Sequence, residues 1–282
     1  MSRTWTSEDT PNFAPLTAAG IARAVVRGLP LALNTFGCLA LLLLVRLVEK
    51  PLFGTRRPIT PHITRYVCRS AFVLLGMGYR VEGRPMSGPG AAVANHVSWL
   101  DIFALNAPQA IYFISKAEVA GWPGIGWLAR ATGTIFIRRE RRDAVAQKAL
   151  LQERISQGHH LVFFPEGTST DGKRVLEFQS TLFSAFFDDE GSDRFALQPI
   201  SLVYEAPKDA DPRFYGWWGD MSFEGHLLRV LSARRQGGVR VIFHPPVSLS
   251  ELSDRKAAAR HLRDVVAKPV DAASALEAGG DL

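Results

Sequence analysis

Ala91-Ala92-Val93-Ala94-Asn95-His96-Val97-Ser98-Trp99-Leu100-Asp101 runs from a short apolar stretch straight into a polar one. Residues 91–94 read as a strand, and the residues that follow sit where that strand gives way to a loop. His96 and Asp101 stand five positions apart there. That spacing can build a base. A histidine with one nitrogen facing a substrate hydroxyl needs a partner on the other, to fix the tautomer and stabilise the imidazolium, and an aspartate is the usual partner. A second reading stays open, because Ser98-x-x-Asp101 is also the spacing of a helix N-terminal capping box. Ser98 is a poor nucleophile candidate, since side chains two apart on a strand or turn rarely meet in line as a Ser-His pair.

Outward from this stretch, short β-type runs alternate with helical ones. Strands are predicted at 111–114, 134–137, 160–164, 200–204 and 239–243, and helices at 143–155, 181–187 and 255–266. Such alternation predicts an α/β fold, a mixed sheet flanked by helices, with functional groups at strand ends. Residues 85–90, Pro-Met-Ser-Gly-Pro-Gly, mark a loop. The division expected is an irregular N-terminus at 1–20, a membrane-associating helical segment at 21–80, the α/β domain at 81–267 and a mobile tail at 268–282.

The helical segment rests on residues 28–45, eighteen positions without a charge, bracketed by Arg23 and Arg27 on one side and Arg46 and Lys50 on the other. A helix of that length rises roughly 27 Å against a hydrocarbon core of about 30 Å. Pro30, Asn34, Thr35 and Gly37 weaken its first half. Two basic flanks give the positive-inside rule little to decide on, and a helix dipping into one leaflet explains them as well as a crossing does. A buried core helix is the plainer alternative. Residues 61–77 form a second, partly apolar helical stretch, so a helical pair is expected to meet the membrane before the α/β domain begins. The segment starts too far from Met1, behind Ser7, Glu8 and Asp9, for a signal peptide.

A net charge of +6 and a pI near 9.6 suit an anionic partner. Nucleic acid is disfavoured, since no recognition signature interleaves basic and aromatic residues, whereas much of the basic charge lies beside the apolar segment. Cys38 and Cys68 support neither a disulfide framework nor a metal site, and the seven histidines form no zinc spacing. No metal and no bound cofactor is expected.

Three further stretches carry chemistry. Arg138 and Arg139 open an Arg-Arg-Glu-Arg-Arg run at a strand end, where arginines can grip an anion, although a solvated face is the commoner meaning of such a run. Phe163-Phe164-Pro165-Glu166-Gly167-Thr168 ends a strongly apolar strand. Pro165 stops the ladder, Gly167 permits a turn, and Glu166 and Thr168 offer an acceptor and a donor at the tip; a plain turn is the alternative. In Gln198-Pro199-Ile200-Ser201 a proline opens another apolar strand, and alone it says nothing more.

In order, His96/Asp101, Gly133-Thr134-Ile135-Phe136-Ile137-Arg138-Arg139, Phe164-Pro165-Glu166-Gly167-Thr168 and Pro199-Ile200 resemble the four blocks of the glycerolipid acyltransferase family, over roughly residues 85–205. Phe113-Ile114-Ser115-Lys116-Ala117-Glu118 looks like the stretch where that family places a lysine. The resemblance implies an α/β domain preceded by membrane-associating helices, and direct acyl transfer without an acyl-enzyme. His96 would take the proton of the acceptor hydroxyl, and Asp101 would orient it. Glu166, Gly167 and Thr168 would shape the acceptor site, Lys116, Arg138 and Arg139 would supply positive charge, and Pro199 would wall the acyl chain. The donor would be acyl-carrier protein or acyl-coenzyme A, the acceptor a lysolipid, and the location the cytoplasmic face of a cell inner membrane.

One position departs from the family. Where lysophosphatidate enzymes commonly carry an arginine after Glu-Gly-Thr, this chain has Ser169. Either Lys173 or Arg174 replaces the missing cation by folding back at Asp171-Gly172, or the acceptor carries no glycerol phosphate. The nominal reading is therefore acylation of 1-acylglycerol-3-phosphate to phosphatidate. The alternative is acylation of lyso-ornithine lipid, which the stretch around Ser169 also resembles. From other classes, a thioester hydrolase would use the same His/Asp pair on water, and a non-catalytic membrane adaptor would carry a disabled motif, which this chain does not.

Overall fold

A computed structural model describes residues 4–7, 9, 11, 13, 15–138, 144–187 and 195–279. The helices are α1 (Ala18–Phe53), α2 (Thr60–Leu75), α3 (Leu100–Asn106), α4 (Ile125–Thr132), α5 (Ala144–Ser156), α6 (Ser184–Phe187), α7 (Phe223–Ser232) and α8 (Arg255–Gly279). The strands are β1 (Gly78–Glu82), β2 (Gly90–Ala94), β3 (Tyr112–Lys116), β4 (Ile135–Ile137), β5 (Leu161–Phe163), β6 (Ala196–Glu205), β7 (Gly238–Phe243) and β8 (Val247–Ser248). They form one mixed sheet in the order β1-β7-β6-β2-β5-β3-β4, with β8 also on β6. From β6 through β2, β5 and β3 to β4 all pairings are parallel, while β7 and β8 run antiparallel to β6.

β2 lies near the middle and is buried throughout. Side chains alternate across a strand, so Ala92 and Ala94 join the core under α2, α3 and α7, and Ala91 and Val93 join the one under α5 and α8. Three alanines in β2 let helices approach both faces, which is how five residues hold the centre of an open α/β sheet.

α1 is longer than the charge-free stretch implies. Its 36 residues extend about 54 Å. The Thr17 hydroxyl caps its N-terminus on Gly20 N, and it passes through Pro30 and Pro51 without ending. Only 11% of its most apolar window is buried, and Leu33, Leu44, Leu47 and Val48 are exposed. This outward apolar face is what a membrane-associating helix presents. The buried-core-helix alternative fails on the same exposure. α2 divides its loyalties: Cys68, Ala71, Phe72 and Leu75 sit in the core, while Tyr66 and Val73 face outward. The helical pair precedes the α/β domain in the chain and packs onto it.

Four expectations need correction. β1 was not anticipated, because it is an edge strand with four of five residues exposed and carries no apolar run. The strand expected at 200–204 begins at Ala196, so Pro199 does not open it. Proline is accommodated mid-strand because it pairs in parallel with Val93 on one side, and on the other its carbonyl accepts His244 N–H at 3.1 Å. The stretch expected as one helix at 181–187 is a 3-10 turn, Ser180–Phe183, followed by the single turn of α6. Finally, 268–279 is not a mobile tail. It continues α8 through Pro269, with Val270 buried, Glu277 paired with Lys173 at 2.6 Å and the Ser274 hydroxyl donating to Lys173 O at 3.0 Å. Residues 280–282 lie outside the described residues.

Candidate active site

His96 follows the C-terminal end of β2, and Phe164-Pro165-Glu166 follows the end of its parallel neighbour β5. Adjacent parallel strands deliver their next residues to the same edge of the sheet. Before His96, the Asn95 side chain prolongs the ladder beyond the strand: its amide donates to Leu202 O at 3.0 Å and its carbonyl accepts Leu202 N–H at 2.8 Å. Asn95 is 1% exposed and thus fixes where the histidine leaves the sheet.

The His96 backbone is gripped on both sides. Its N–H donates to Glu166 Oε1 at 2.7 Å, and its carbonyl accepts Thr170 N–H at 3.0 Å. The ring stacks on Phe164 with centroids 4.1 Å apart and planes 12° apart. Nδ1 lies 2.7 Å from Asp101 Oδ2. No described residue hydrogen-bonds Nε2, and the side chain is 23% exposed, so this nitrogen is the one a substrate can reach.

Asp101 is fully buried and saturated. Oδ2 accepts from His96 Nδ1, from Val97 N–H at 2.7 Å and from Ser98 N–H at 3.1 Å; Oδ1 accepts the Tyr204 hydroxyl at 2.7 Å. The Ser98 hydroxyl accepts Leu100 N–H at 3.2 Å at the start of α3. The base and the backbone N–H groups of Val97 and Ser98 that lead into α3 thus share one carboxylate oxygen. Burial, reinforced by the Asp101 charge, pushes Tyr204 well above the ordinary phenol range, so it remains a donor. A buried tyrosine needs a hydroxyl partner, and that was the available signal for Tyr204, passed over in a strand read simply as apolar.

Glu166 is a brace. Besides His96 N–H it accepts Leu176 N–H on Oε2 at 2.7 Å, and it is 3% exposed. Burial pushes its carboxyl up to about 8 against the pull of those two donors. Gly167 turns the chain with φ of 75°, which favours glycine. Thr168 Oγ1 accepts Trp5 N–H at 3.3 Å, tying the N-terminal stretch to this loop.

The cations divide into two groups. Lys116 ends β3 and Arg138 follows β4, so they stand two and three strands from β2 on the edge that carries His96, roughly 10 and 14 Å along it. Arg139 lies outside the described residues. Lys173 and Arg174 are both paired within the chain. Lys173 pairs with Glu277 on α8, and Arg174 folds back onto Asp171, with Nε at 3.3 Å and Nη2 at 3.1 Å, and over the Trp5 ring. Asp171-Gly172 does make a tight turn, closed by Lys173 N–H on Asp171 Oδ1. That turn gives Arg174 its partner. The Ser169 hydroxyl donates to Trp217 O, and Trp217 N–H donates to Val97 O at 2.9 Å. Pro199 is buried within β6, where it covers no open surface. Among the described residues no three of His, Cys, Asp and Glu come together as a metal site.

Comparison with known proteins places these residues in context. The profile of the family described as Acyltransferase matches residues 79–202. The chain is 56% identical to a lyso-ornithine lipid O-acyltransferase from Rhodobacter capsulatus, over 89% of this chain and 91% of that protein. It is 35% identical to one from Pseudomonas aeruginosa, over 74% and 78% of the two chains. Its fold superposes on the crystal structure of a 1-acyl-sn-glycerophosphate acyltransferase from Thermotoga maritima with a TM-score of 0.59, at 19% identity, covering 89% of this chain and 96% of that one.

Proposed function

Because the chain belongs to the glycerolipid acyltransferase family, whose members transfer an acyl group to a lipid hydroxyl, we propose that its acceptor is lyso-ornithine lipid and its product ornithine lipid. The observation that carries this choice is the loop after Glu166. Ser169 stands where a phosphate-binding arginine would, its hydroxyl is committed to Trp217 O, and the two following cations are neutralised within the chain. An acceptor with a glycerol phosphate would find no bidentate partner there, which costs a few kcal/mol of binding. The 56% identical relative carries the lyso-ornithine name, and this reading displaces the lysophosphatidate one.

In the proposed mechanism His96 Nε2 accepts the proton of the acceptor hydroxyl as that oxygen attacks the thioester carbonyl. Asp101 holds Nδ1–H and stabilises the imidazolium. Collapse of the tetrahedral adduct forms the ester, breaks the C–S bond and sends the proton from His96 to the departing thiolate. Lys116 and Arg138, farther along the same edge, would attract the phosphates of acyl-coenzyme A or the acidic surface of acyl-carrier protein. Membrane association brings the lipid acceptor to the site. α1 is tied to the domain near both ends, by Arg23 and Arg27 on the last carbonyls of α7 and by Glu49 on the first N–H groups of α2. A helix so held along the domain supports embedding in one leaflet, the cytoplasmic leaflet of the inner membrane, over a crossing.

The test offers the purified protein a labelled acyl donor with lyso-ornithine lipid and lysophosphatidate in parallel, and without either. Ornithine lipid should form with the higher kcat/KM. Equal or faster formation of phosphatidate would overturn the acceptor assignment, and fatty acid released at the same rate without acceptor would make the protein a hydrolase.

A further inference from the structure

Between the last turns of α1, the turn after it, α4 and α5 lies an open cavity of about 510 Å3 that shares no residue with the His96 site. Five cations line it, Arg46, Lys50, Arg57, Arg130 and Arg154, and among the described residues no carboxylate does. Glu49, which does not line the cavity, pairs with Arg46 at 2.9 Å. Arg57, Arg130 and Arg154 donate to neutral groups, with Glu49 and Glu153 acting on Arg57 and Arg154 only through their charge. Arg57 donates to Ala131 O at 2.5 Å, Arg154 to Gly133 O at 3.2 Å and to His159 Nδ1 at 2.6 Å, and Arg130 to Ala120 O. Burial, with Arg46 and Arg154 adding to it, lowers the proton affinity of Arg57, and burial does the same to Arg154. Carbonyls orient these guanidinium groups without cancelling their charge. An assembly of like charges this close is stabilised by an anion.

We propose that this cavity binds the phosphate head of an anionic membrane phospholipid. Two observations favour a lipid over a protein or a soluble phosphate. The cavity is concave and of the size that takes a small ligand, whereas an acidic helix needs a flat or grooved face. It also opens onto apolar surface: Leu43 lines it, and Leu43, Arg46, Leu47 and Lys50 share one face of α1, with Leu43 50% and Leu47 71% exposed. A phosphate in the cavity would leave its acyl chains alongside that apolar face, in the bilayer. Basic pockets beside membrane helices hold lipid heads in this manner. Such a lipid would fix the depth and orientation of the catalytic domain on the membrane, whichever lysolipid is acylated.

The test compares the full chain with Lys50→Gln/Arg130→Gln, both at exposed rim positions, and with Lys256→Gln/Arg260→Gln, exposed on α8 and equal in net charge. Binding is measured to vesicles of phosphatidylcholine alone and of phosphatidylcholine mixed with phosphatidylglycerol, with circular dichroism to confirm folding. The preference for the phosphatidylglycerol vesicles should fall roughly tenfold or more in the cavity variant and little in the control. Equal losses in both variants would reduce the effect to net charge and overturn the proposal. Displacement of the vesicles by an equal concentration of inorganic phosphate would assign the cavity to free phosphate. An unchanged vesicle preference with a raised KM for acyl-carrier protein or acyl-coenzyme A would assign it to the donor.

Discussion

Tyr204 donates its hydroxyl to Asp101 Oδ1 at 2.7 Å from the neighbouring strand β6, so the carboxylate that faces His96 is held at both oxygens. Tyr204→Phe removes one donor to a buried charge and leaves the ring in place. A hydrogen bond to a charged group is worth about 1.5–3 kcal/mol. Stability should fall by about that amount, and kcat roughly tenfold as the imidazole loses its fixed orientation, with donor KM unchanged. Full activity in a folded Tyr204→Phe protein would remove Tyr204 from the positioning of the base.

His96→Ala should abolish transfer and leave the fold intact, because the side chain is partly exposed and contributes one stacked contact and one hydrogen bond. Asp101→Asn is a different kind of change. Four donors converge on the carboxylate, and an amide sets its own N–H groups against at least one of them, leaving a buried donor unpaired at about 1–3 kcal/mol. Activity and thermal stability should therefore both fall in Asp101→Asn. Retained transfer by either variant would sink the general-base mechanism.

Glu166 gives stability a pH dependence with a definite sign. Its carboxyl titrates at about 8 when folded, against 4.5 ordinarily. The folded chain therefore retains a proton that the unfolded chain releases. The resulting stabilisation is complete below pH 4.5 and is lost as pH rises through 8. The buried imidazoles of His159 and His226, pushed down to about 4, impose the opposite slope below 6.5. The diagnostic is thus the difference between wild type and Glu166→Gln. That difference in melting temperature should change steadily between pH 4.5 and 8, and a constant offset would contradict the assignment. Glu166→Gln should also cost about 1–3 kcal/mol, because one glutamine oxygen cannot accept both His96 N–H and Leu176 N–H.

Ser169→Arg restores the cation that the lysophosphatidate enzymes carry. The ratio of kcat/KM for lysophosphatidate over lyso-ornithine lipid should rise about tenfold, the scale of one charge-assisted phosphate contact. Lys173→Met, by contrast, removes a lysine already paired with Glu277 and should leave that ratio unchanged. A selectivity shift in Lys173→Met without one in Ser169→Arg would place the acceptor head group at the other side of the turn.

Some of the site was legible along the chain because its chemistry is local. His96 and Asp101 are close in sequence, and a strand tip followed by a cap places them together in any α/β fold. Glu166 was legible as a charged residue set against two phenylalanines, but its role was not. A carboxylate oxygen bonded to a backbone N–H seventy positions away leaves no trace in composition or periodicity. Lys173 and Arg174 show the same limit from the other side, since their availability depended on partners on α8 and across a turn.

What the sequence by itself determined is the alternation of strands and helices that makes an α/β fold, the His96/Asp101 pair at the tip of a short apolar strand and the apolar helix before it, all of which rest on side-chain periodicity and near-neighbour spacing. Only the tertiary structure decided that Lys173 and Arg174 are paired within the chain, which oxygen of Asp101 serves the base, and that the five basic residues around α1, α4 and α5 share one cavity. Those facts depend on distances between residues far apart in the chain, and such distances are set by how helices and strands pack, not by the pattern within any one of them.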